Sequence, residues 1–339
     1  MILDRDNIIS YLVSNGFNSC KIVQIRNLRN FCAIINTDKG KIVVKQEGHF
    51  TTKFSLISLE SELQFYRNKK KDLNSITPKV FLVDDANSIV IIEFLEEYQM
   101  SVNYDDSNFS QSENIGRSLA LVHNSSCLNQ KVSTQIFFRF FDIITPEAYN
   151  AGGRLFEKCI ELMQRFPDLN ESLRAFEQEF VWDCFIHGDL KNDNFLLFEN
   201  NVKFIDWELS GLGDRYLDLG FIIGNYILFW IEKMSFDKEK EIQNEKHLEQ
   251  IKEHIFLFLS NYKTHVKNVD FQFNYDKIVK FAGVFLLNVF YSKSVFKSEY
   301  SKQDIMVLEY GRKMLVFSSR FTIELFIKNI IEQNARTIE

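Results

Sequence analysis

Residues 185–208 read FIHGDLKNDNFLLFENNVKFIDWE and place polar side chains between short apolar runs. The runs NFLLF and VKFI have the length of strands, and ENN between them is typical of a tight turn. If these runs pair as a hairpin, its two ends meet and Asn194 comes to lie beside Asp206. Carboxylate and amide oxygens suit Mg²⁺, which keeps several waters and is commonly shared with substrate phosphates. The stretch therefore predicts a magnesium site, with Asp189 facing the same space and free to accept a proton.

The chain as a whole divides into a strand-rich N-terminal part and a helix-rich part, and the second part contains this stretch. In residues 1–95, short strand-like runs surround one amphipathic helix predicted over 52–71. The strand-like runs lie at 20–28, 31–37, 41–47, 79–84 and 88–94. Residues 96–339 show apolar residues mostly at three- and four-residue spacing, which is typical of helices. We therefore expect an α+β fold with a small β-rich N-terminal lobe (1–95), a hinge near 93–97 and a large, mainly helical C-terminal lobe (96–339).

Composition restricts the class of protein. Of the 339 residues, 45% are hydrophobic, 25% are charged and only 3 are proline, which is typical of a folded globular chain. The net charge of −6 argues against a protein that neutralises many nucleic-acid phosphates. No apolar run reaches the roughly 20 residues that a membrane-spanning helix needs. The five cysteines are scattered, so we expect free thiols in a reducing cytoplasm. From the net charge and the short apolar runs, we expect no nucleic-acid partner and no membrane partner.

The motif HGDLKNDN followed by IDWE resembles the catalytic loop and metal-binding motif of the aminoglycoside phosphotransferase and choline kinase group, which are relatives of protein kinases. The resemblance covers most of the chain in the expected order. The segment GDRYLDLG, with Asp218, is similar to the family segment that braces the catalytic loop. The resemblance implies a bilobal protein-kinase-like fold and a kinase that transfers the γ-phosphate of ATP, with Mg²⁺, to a hydroxyl group.

The resemblance also implies which residues bind the nucleotide. Lys45 in IVVKQE stands where the family's strand lysine binds phosphates, and Glu62 in SELQFY is the helix partner that orients it. Glu60 is the rival for that role. The run IVIIEFL is similar to the family's hinge, whose backbone at Glu93 and Leu95 would hydrogen-bond the adenine.

For the chemical step, the resemblance implies that Asp189 is the catalytic base and that Asn194 and Asp206 are the Mg²⁺ ligands. It further implies that Lys191 contacts the transferred phosphate and that His187 ties the loop to its surroundings.

One segment departs from the family pattern. Between the first two strands the family carries a loop of small residues over the phosphates, whereas residues 24–35 read QIRNLRNFCAII and contain no glycine. In place of that loop, we expect Arg26, Asn27, Arg29 and Asn30 to present backbone N–H groups to the phosphates, with positive charge from the two arginines. The departure leaves open a pseudokinase, which would bind a nucleotide or a partner without turnover.

The acceptor is not fixed by these motifs, which are compatible with a hydroxyl-bearing small molecule or a peptide. Residues 205–230, IDWELSGLGDRYLDLGFIIGNYILFW, also resemble kinase-like proteins of class V lanthipeptide and thioviridamide-type peptide pathways. That resemblance implies phosphorylation of peptide Ser or Thr, followed by elimination on a separate partner lyase.

Overall fold

The computed structural model describes residues 1–27, 30–48, 58–99, 109–127, 130–139, 146–268 and 270–336. Within these residues, five antiparallel strands near the N-terminus form one sheet in the order β1-β2-β3-β5-β4. The strands are β1 (Lys21–Asn27), β2 (Phe31–Thr37), β3 (Gly40–Gln46), β4 (Val80–Asp84) and β5 (Ile89–Glu93). All five predicted strands are confirmed, with ends that shift by one residue at most.

The two faces of this sheet pack against different cores, because side chains alternate along a strand. Ile42 and Val44 of β3 point into a core shared with helix α1 (Ile8–Ser14). The opposite face of β3 carries Val43 and Lys45, and Val43 packs against the main core. Lys45 therefore lies on the side of the sheet that faces the second lobe.

Helix α2 (Glu60–Asn68) covers that face of the sheet. The helix predicted over 52–71 was too long at both ends: Ser58 and Leu59 precede the observed helix, residues 69–71 follow it, and residues 52–57 lie outside the described residues. The helix ends because Lys69 has extended backbone angles and its ammonium group bonds Thr77 Oγ1 at 2.8 Å. The chain then turns through a short 3₁₀ helix (Lys71–Ser75). The apolar pattern of α2 stops before these lysines, so the helical periodicity does not continue through them.

The second lobe is mainly helical, as predicted. Its helices in the described residues are α3 (Phe109–His123), α4 (Gln135–Phe138), α5 (Pro146–Gln164), α6 (Pro167–Gln178), α7 (Arg215–Lys233), α8 (Glu241–His265), α9 (Tyr275–Phe296), α10 (Lys302–Val316) and α11 (Ser318–Arg336). Helix α7 is largely buried and packs against α8 and α9. Gly220 and Gly224 face α9, where a Cβ atom would overlap Phe281 or Phe285, so the two helices approach closely.

Two small strand pairs carry the polar stretch between α6 and α7. Strand β6 (Cys184–Ile186) pairs with β9 (Gly211–Gly213), and β7 (Phe195–Phe198) pairs with β8 (Asn201–Phe204). The predicted hairpin is confirmed, and its turn places Glu199 at a φ of 50°. Strand β9 was not predicted, because Gly-Leu-Gly lacks the β-branched residues that mark strands.

The two lobes meet at the polar stretch. The Trp207 ring stacks on Phe65 of α2 with ring centroids 3.8 Å apart, and the Phe204 N–H donates to the Ile76 carbonyl at 2.7 Å. The lobe boundary at residue 95 remains a prediction. No helix within the described ranges is both long and apolar enough to cross a membrane.

Candidate active site

The loop from His187 to Asn194 is anchored from below by Asp218 of helix α7. The buried Asp218 carboxylate accepts the N–H groups of His187 at 2.8 Å and Gly188 at 2.9 Å. Gly188 has a φ of 83°, and a Cβ atom there would collide with the Leu209 carbonyl oxygen. Only glycine fits this position without strain. Asp218 therefore braces the loop, as predicted.

His187 links the start of the loop to the chain segment before Asp206. Its Nδ1 accepts the Asp189 N–H at 3.3 Å, so we assign the proton to Nε2, which donates to the Ile205 carbonyl at 3.0 Å. Burial lowers the pKa of His187 below its ordinary value. A neutral, fully buried imidazole thus ties the loop to the segment after β8, in line with its predicted structural role.

Asp189 projects from this loop with its carboxylate held on two sides. Its Oδ2 accepts from Lys191 Nζ at 2.7 Å and from Asn194 Nδ2 at 2.8 Å. Burial raises the pKa of Asp189 to about 6, although the Lys191 ammonium group opposes the shift. A carboxylate that titrates near neutral pH is suited to take up a proton during a reaction.

Lys45, Glu62 and Asp206 form one ion-paired cluster across the lobes. Lys45 Nζ lies 3.0 Å from both Glu62 oxygens and 2.8 Å from Asp206 Oδ1. Burial alone would lower the pKa of Lys45, but the two carboxylates outweigh it and raise that pKa well above its ordinary value. Glu62 is fully buried, whereas the rival Glu60 is exposed and bonds Gln64 Nε2 at 3.0 Å.

The hairpin brings Asn194 and Asp206 together, since the Ile205 N–H donates to the Asn194 carbonyl at 2.9 Å. Asn194 Nδ2 is committed to Asp189, so its Oδ1 is the amide atom left for a cation. Asp206 has a φ of 68°, a left-handed conformation that Asp tolerates better than most residues.

One carboxylate and one amide oxygen make a hard-oxygen donor set that fits Mg²⁺. In the described part of the chain, no three His, Cys, Asp or Glu residues cluster to hold a metal. A cation between Asn194 and Asp206 would therefore share its coordination shell with phosphate oxygens or water.

The predicted adenine-binding segment continues from β5, which lies between β3 and β4 in the sheet. Glu93 ends β5 and pairs with Ile42, and the Leu95 carbonyl accepts the Tyr98 N–H at 3.3 Å. Adenine binding by Glu93 and Leu95 stays a prediction.

The glycine-free segment 24–35 is only partly described. Asn27 pairs with Phe31, and Asn30 Oδ1 accepts the Gly48 N–H at 3.3 Å. Arg29 lies outside the described residues. The expected phosphate contacts of Arg26, Asn27 and Asn30 also stay predictions.

A cavity of about 560 Å³ opens beside Asp189 and Lys191. One face of helix α9 forms much of its wall. Helix α9 contributes Phe285, Asn288, Val289, Ser292 and Lys293 to this wall. The remaining lining residues come from other elements and are Ile136, Phe137, Asp193, Leu209, Phe221 and Lys297. Beyond Ile136, Phe137 and Leu209 lies a second cavity of about 120 Å³, which these three residues also line. The wall thus combines apolar side chains with carboxylates near Asp189 and lysines near the end of α9. Lys297, just after α9, bonds Asp304 at 2.6 Å.

Asn225 of α7 is a residue at this site that sequence reasoning missed. Its Oδ1 accepts the Asn192 N–H at 3.0 Å, and its Nδ2 donates to the Leu190 carbonyl at 2.9 Å. The available signal was a single amide side chain inside the apolar run GFIIGNYILFW. The lining residues of α9 were also missed, because apolar periodicity does not distinguish a core face from a cavity wall.

Residues 59–254 match the family described as the phosphotransferase enzyme family. Among curated proteins, the chain is 25% identical over 214 residues to protein LicA of Haemophilus influenzae. That match covers 61% of this chain and 58% of LicA, so the chain spans less than two thirds of this relative's length.

Solved structures share the architecture. Choline kinase LicA from Streptococcus pneumoniae is 17% identical, with a TM-score of 0.53 over 91% of this chain and 98% of that chain. Amicoumacin kinase hAmiN, solved with AMP-PNP, Ca²⁺ and Ami, is 12% identical, with a TM-score of 0.60 over 93% and 94%. At these identities the likeness shows the fold, and the predicted α+β kinase-like fold is confirmed.

Proposed function

The chain belongs to the phosphotransferase enzyme family, and on that premise we propose that it transfers the γ-phosphate of ATP to a hydroxyl group with the help of Mg²⁺. The acceptor is a small molecule or a peptide that enters the cavity beside Asp189. The observation that carries the proposal is the convergence of Asp189, Asn194, Asp206 and Lys45 at the interface between the lobes. Nucleotide and divalent-cation use is supported by hAmiN, which was solved with AMP-PNP and Ca²⁺.

In the proposed step, the acceptor oxygen forms a bond to the γ-phosphorus while the bond from that phosphorus to the leaving ADP oxygen breaks. Asp189 accepts the hydroxyl proton. Asn194 Nδ2 donates a hydrogen bond to the Asp189 carboxylate and so orients it toward the acceptor. Lys45 binds the nucleotide phosphates, and Glu62 fixes the position of its ammonium group. Mg²⁺, held by Asn194 and Asp206, neutralises charge on the phosphates when bound.

Lys191 has a double role in this proposal. Its ammonium group bonds Asp189 Oδ2 at 2.7 Å, while its side chain is 46% exposed. An ammonium group there stabilises the charge that spreads over the phosphoryl oxygens during transfer. The backbone of Glu93 and Leu95 is the proposed adenine contact.

An acceptor longer than a simple amino alcohol is favoured by the two cavities, since they adjoin across Ile136, Phe137 and Leu209. A peptide could lie along both with a Ser or Thr hydroxyl near Asp189. Its phosphoester would then be the substrate of a separate lyase that eliminates phosphate. We carry this peptide kinase as the second candidate function.

The pseudokinase hypothesis rests on the glycine-free segment 24–35. The cluster of Lys45, Glu62 and Asp206 beside Asp189 supports turnover instead, since a binding protein has no need of an oriented carboxylate. We also propose a cytoplasmic site of action, because all five cysteines are free thiols and ATP is the proposed donor.

The test is turnover of ATP with defined acceptors. The protein is incubated with ATP and Mg²⁺ and with choline, an aminoglycoside or a Ser/Thr-rich peptide, while ADP release and acceptor mass are followed. Gain of one phosphate group by an acceptor, lost in Asp189→Asn and after chelation of Mg²⁺, supports the proposal. ADP binding without turnover of any acceptor would support the pseudokinase. Phosphorylation by Asp189→Asn at the wild-type rate would overturn the assignment of the base.

A further inference from the structure

Helix α7 carries two buried polar side chains under the catalytic loop, Asp218 and Asn225. They are seven residues apart, which is two helical turns or about 10 Å along the axis, and they therefore lie on the same face of the helix. The residues around them are apolar and buried. Two polar groups in such surroundings require partners, and both find them in the loop.

Their contacts divide the loop between them. Asp218 accepts the N–H groups of His187 and Gly188 at its start. Asn225 bonds the Leu190 carbonyl and the Asn192 N–H at its end. The loop residue between these anchors is Asp189.

We propose that Asn225 is a positioning residue for phosphoryl transfer: it fixes the second end of the loop and so sets the direction in which Asp189 and Lys191 enter the cleft. The inference rests on the proposed function. It adds that the geometry of the base depends on an amide in α7 that touches neither nucleotide nor acceptor.

The chemistry of the position favours an amide. Asn225 donates to the Leu190 carbonyl and accepts the Asn192 N–H, so it matches one acceptor and one donor of the loop, and its second N–H goes to the Phe221 carbonyl. Leucine would remove both bonds to the loop. An ionised carboxylate would turn a negative oxygen toward the Leu190 carbonyl oxygen. A protonated carboxyl group can restore both bonds to the loop, because its O–H donates and its C=O accepts, but it has no second donor for the Phe221 carbonyl.

A purely structural role is the competing explanation, since Asn225 Nδ2 also donates to the Phe221 carbonyl one turn earlier in α7 at 2.7 Å. Asn261 of α8 makes the same kind of bond to the Leu257 carbonyl at 3.1 Å, far along the chain from the loop. Asn261→Asp is therefore a matched control for the general effect of replacing a helical amide.

The experiment compares kcat of Asn225→Asp and wild type across pH, with Asn261→Asp alongside. Above about pH 8 the introduced carboxyl group is ionised, and we expect kcat to fall by about 10- to 100-fold. Burial raises the pKa of such a group, so its protonation on acidification should raise the variant-to-wild-type ratio of kcat by about tenfold. An ionised carboxylate at position 225 would also raise the pKa of Asp189, so the pKa of the base is fitted separately for each protein before the ratio is formed.

A second readout does not need turnover. In Asn225→Leu the Asn192 N–H loses its acceptor, and we expect its hydrogen exchange to speed up by about 10- to 100-fold. The His187 and Gly188 N–H groups, bonded to Asp218, should stay slow and report that the fold is intact. Faster exchange at all three positions would indicate general loosening and would overturn the inference.

The outcomes separate this inference from the proposed function. Absence of turnover in the wild type would count against the proposed function, and the exchange pattern would still decide whether Asn225 holds the loop. If the wild type turns over and the ratio of kcat in Asn225→Asp to kcat in the wild type stays near one at every pH, the inference is wrong and the proposed function is unaffected. An equal loss of kcat in Asn261→Asp would show that Asn225 acts only through the stability of the fold.

Discussion

Lys45 Nζ lies 2.8 Å from Asp206 Oδ1, so a strand of the first lobe and the loop after β8 are joined by one partly buried ion pair. Glu62 holds the same ammonium group from α2, at 3.0 Å. Phe65, three residues after Glu62, stacks on Trp207, the residue after Asp206. Charge and aromatic contacts thus fix α2 and the segment Asp206–Trp207 relative to each other.

The Glu62 carboxylate is expected to matter for nucleotide use, and the Glu60 carboxylate is not. Glu62→Gln removes the charge that orients Lys45, so kcat/KM for ATP should fall by about 10- to 100-fold. Glu60→Gln changes an exposed residue on the same helix and should alter kcat/KM by less than about twofold. Steady-state kinetics with ATP varied distinguishes the two, and equal losses would contradict the pairing.

Activity should decline in acid because Asp189 must be ionised to accept a proton. With a pKa of about 6, log(kcat/KM) for the acceptor should rise with pH below that value and level off above it. Lys191→Met removes the positive charge that lowers this pKa, so the acid limb should move to higher pH. A limb that stays in place or moves to lower pH would show that Lys191 does not control the base.

Gly188 should tolerate alanine less well than Gly40, although both have positive φ. Gly40 has a φ of 98° and open space where a Cβ atom would stand, so Gly40→Ala should cost only the left-handed strain of about 1–2 kcal/mol. Gly188→Ala adds a collision with the Leu209 carbonyl and should cost about 1–3 kcal/mol more. Urea denaturation measures both free energies of unfolding, and equal values would argue against the close contact.

Filling the cavity should affect the acceptor and spare the nucleotide. Val289→Trp places a ring in the space lined by α9, so KM for the acceptor should rise about tenfold or more. KM for ATP should change little, because neither Lys45 nor Asp206 lines this cavity. Ile305→Trp, at a 41% exposed position outside the cavity lining, is the control. An unchanged KM for every acceptor would place the acceptor elsewhere.

The sequence was most informative where contacts are local. The pairing of β7 with β8 follows from two short apolar runs and a turn, and it brings Asn194 to Asp206 without knowledge of the rest of the fold. The meeting of Lys45 with Asp206, 161 residues apart, could not be read from spacing. The family resemblance implied only that Lys45 binds phosphates and is oriented by Glu62, and the relative placement of two lobes leaves no periodic signal in the sequence.

Other features escaped for physical reasons. Strand β9 is three residues long and is held by its pairing with β6, so local propensity carries little information. Helix α4 spans four residues and gives no measurable periodicity. The role of Asn225 depends on which face of α7 meets the loop, and that is decided by tertiary packing.

The close approach of α7 and α9 at Gly220 and Gly224 has a consequence for evolution. Helix α7 supports the loop from His187 to Asn192 with one face, whereas α9 contributes Val289 and Ser292 to the cavity wall. If the acceptor binds in this cavity as we propose, substitutions along the cavity side of α9 change the acceptor and leave the transfer chemistry intact. A lineage that diversifies in this way should vary at these wall positions and keep the two glycines.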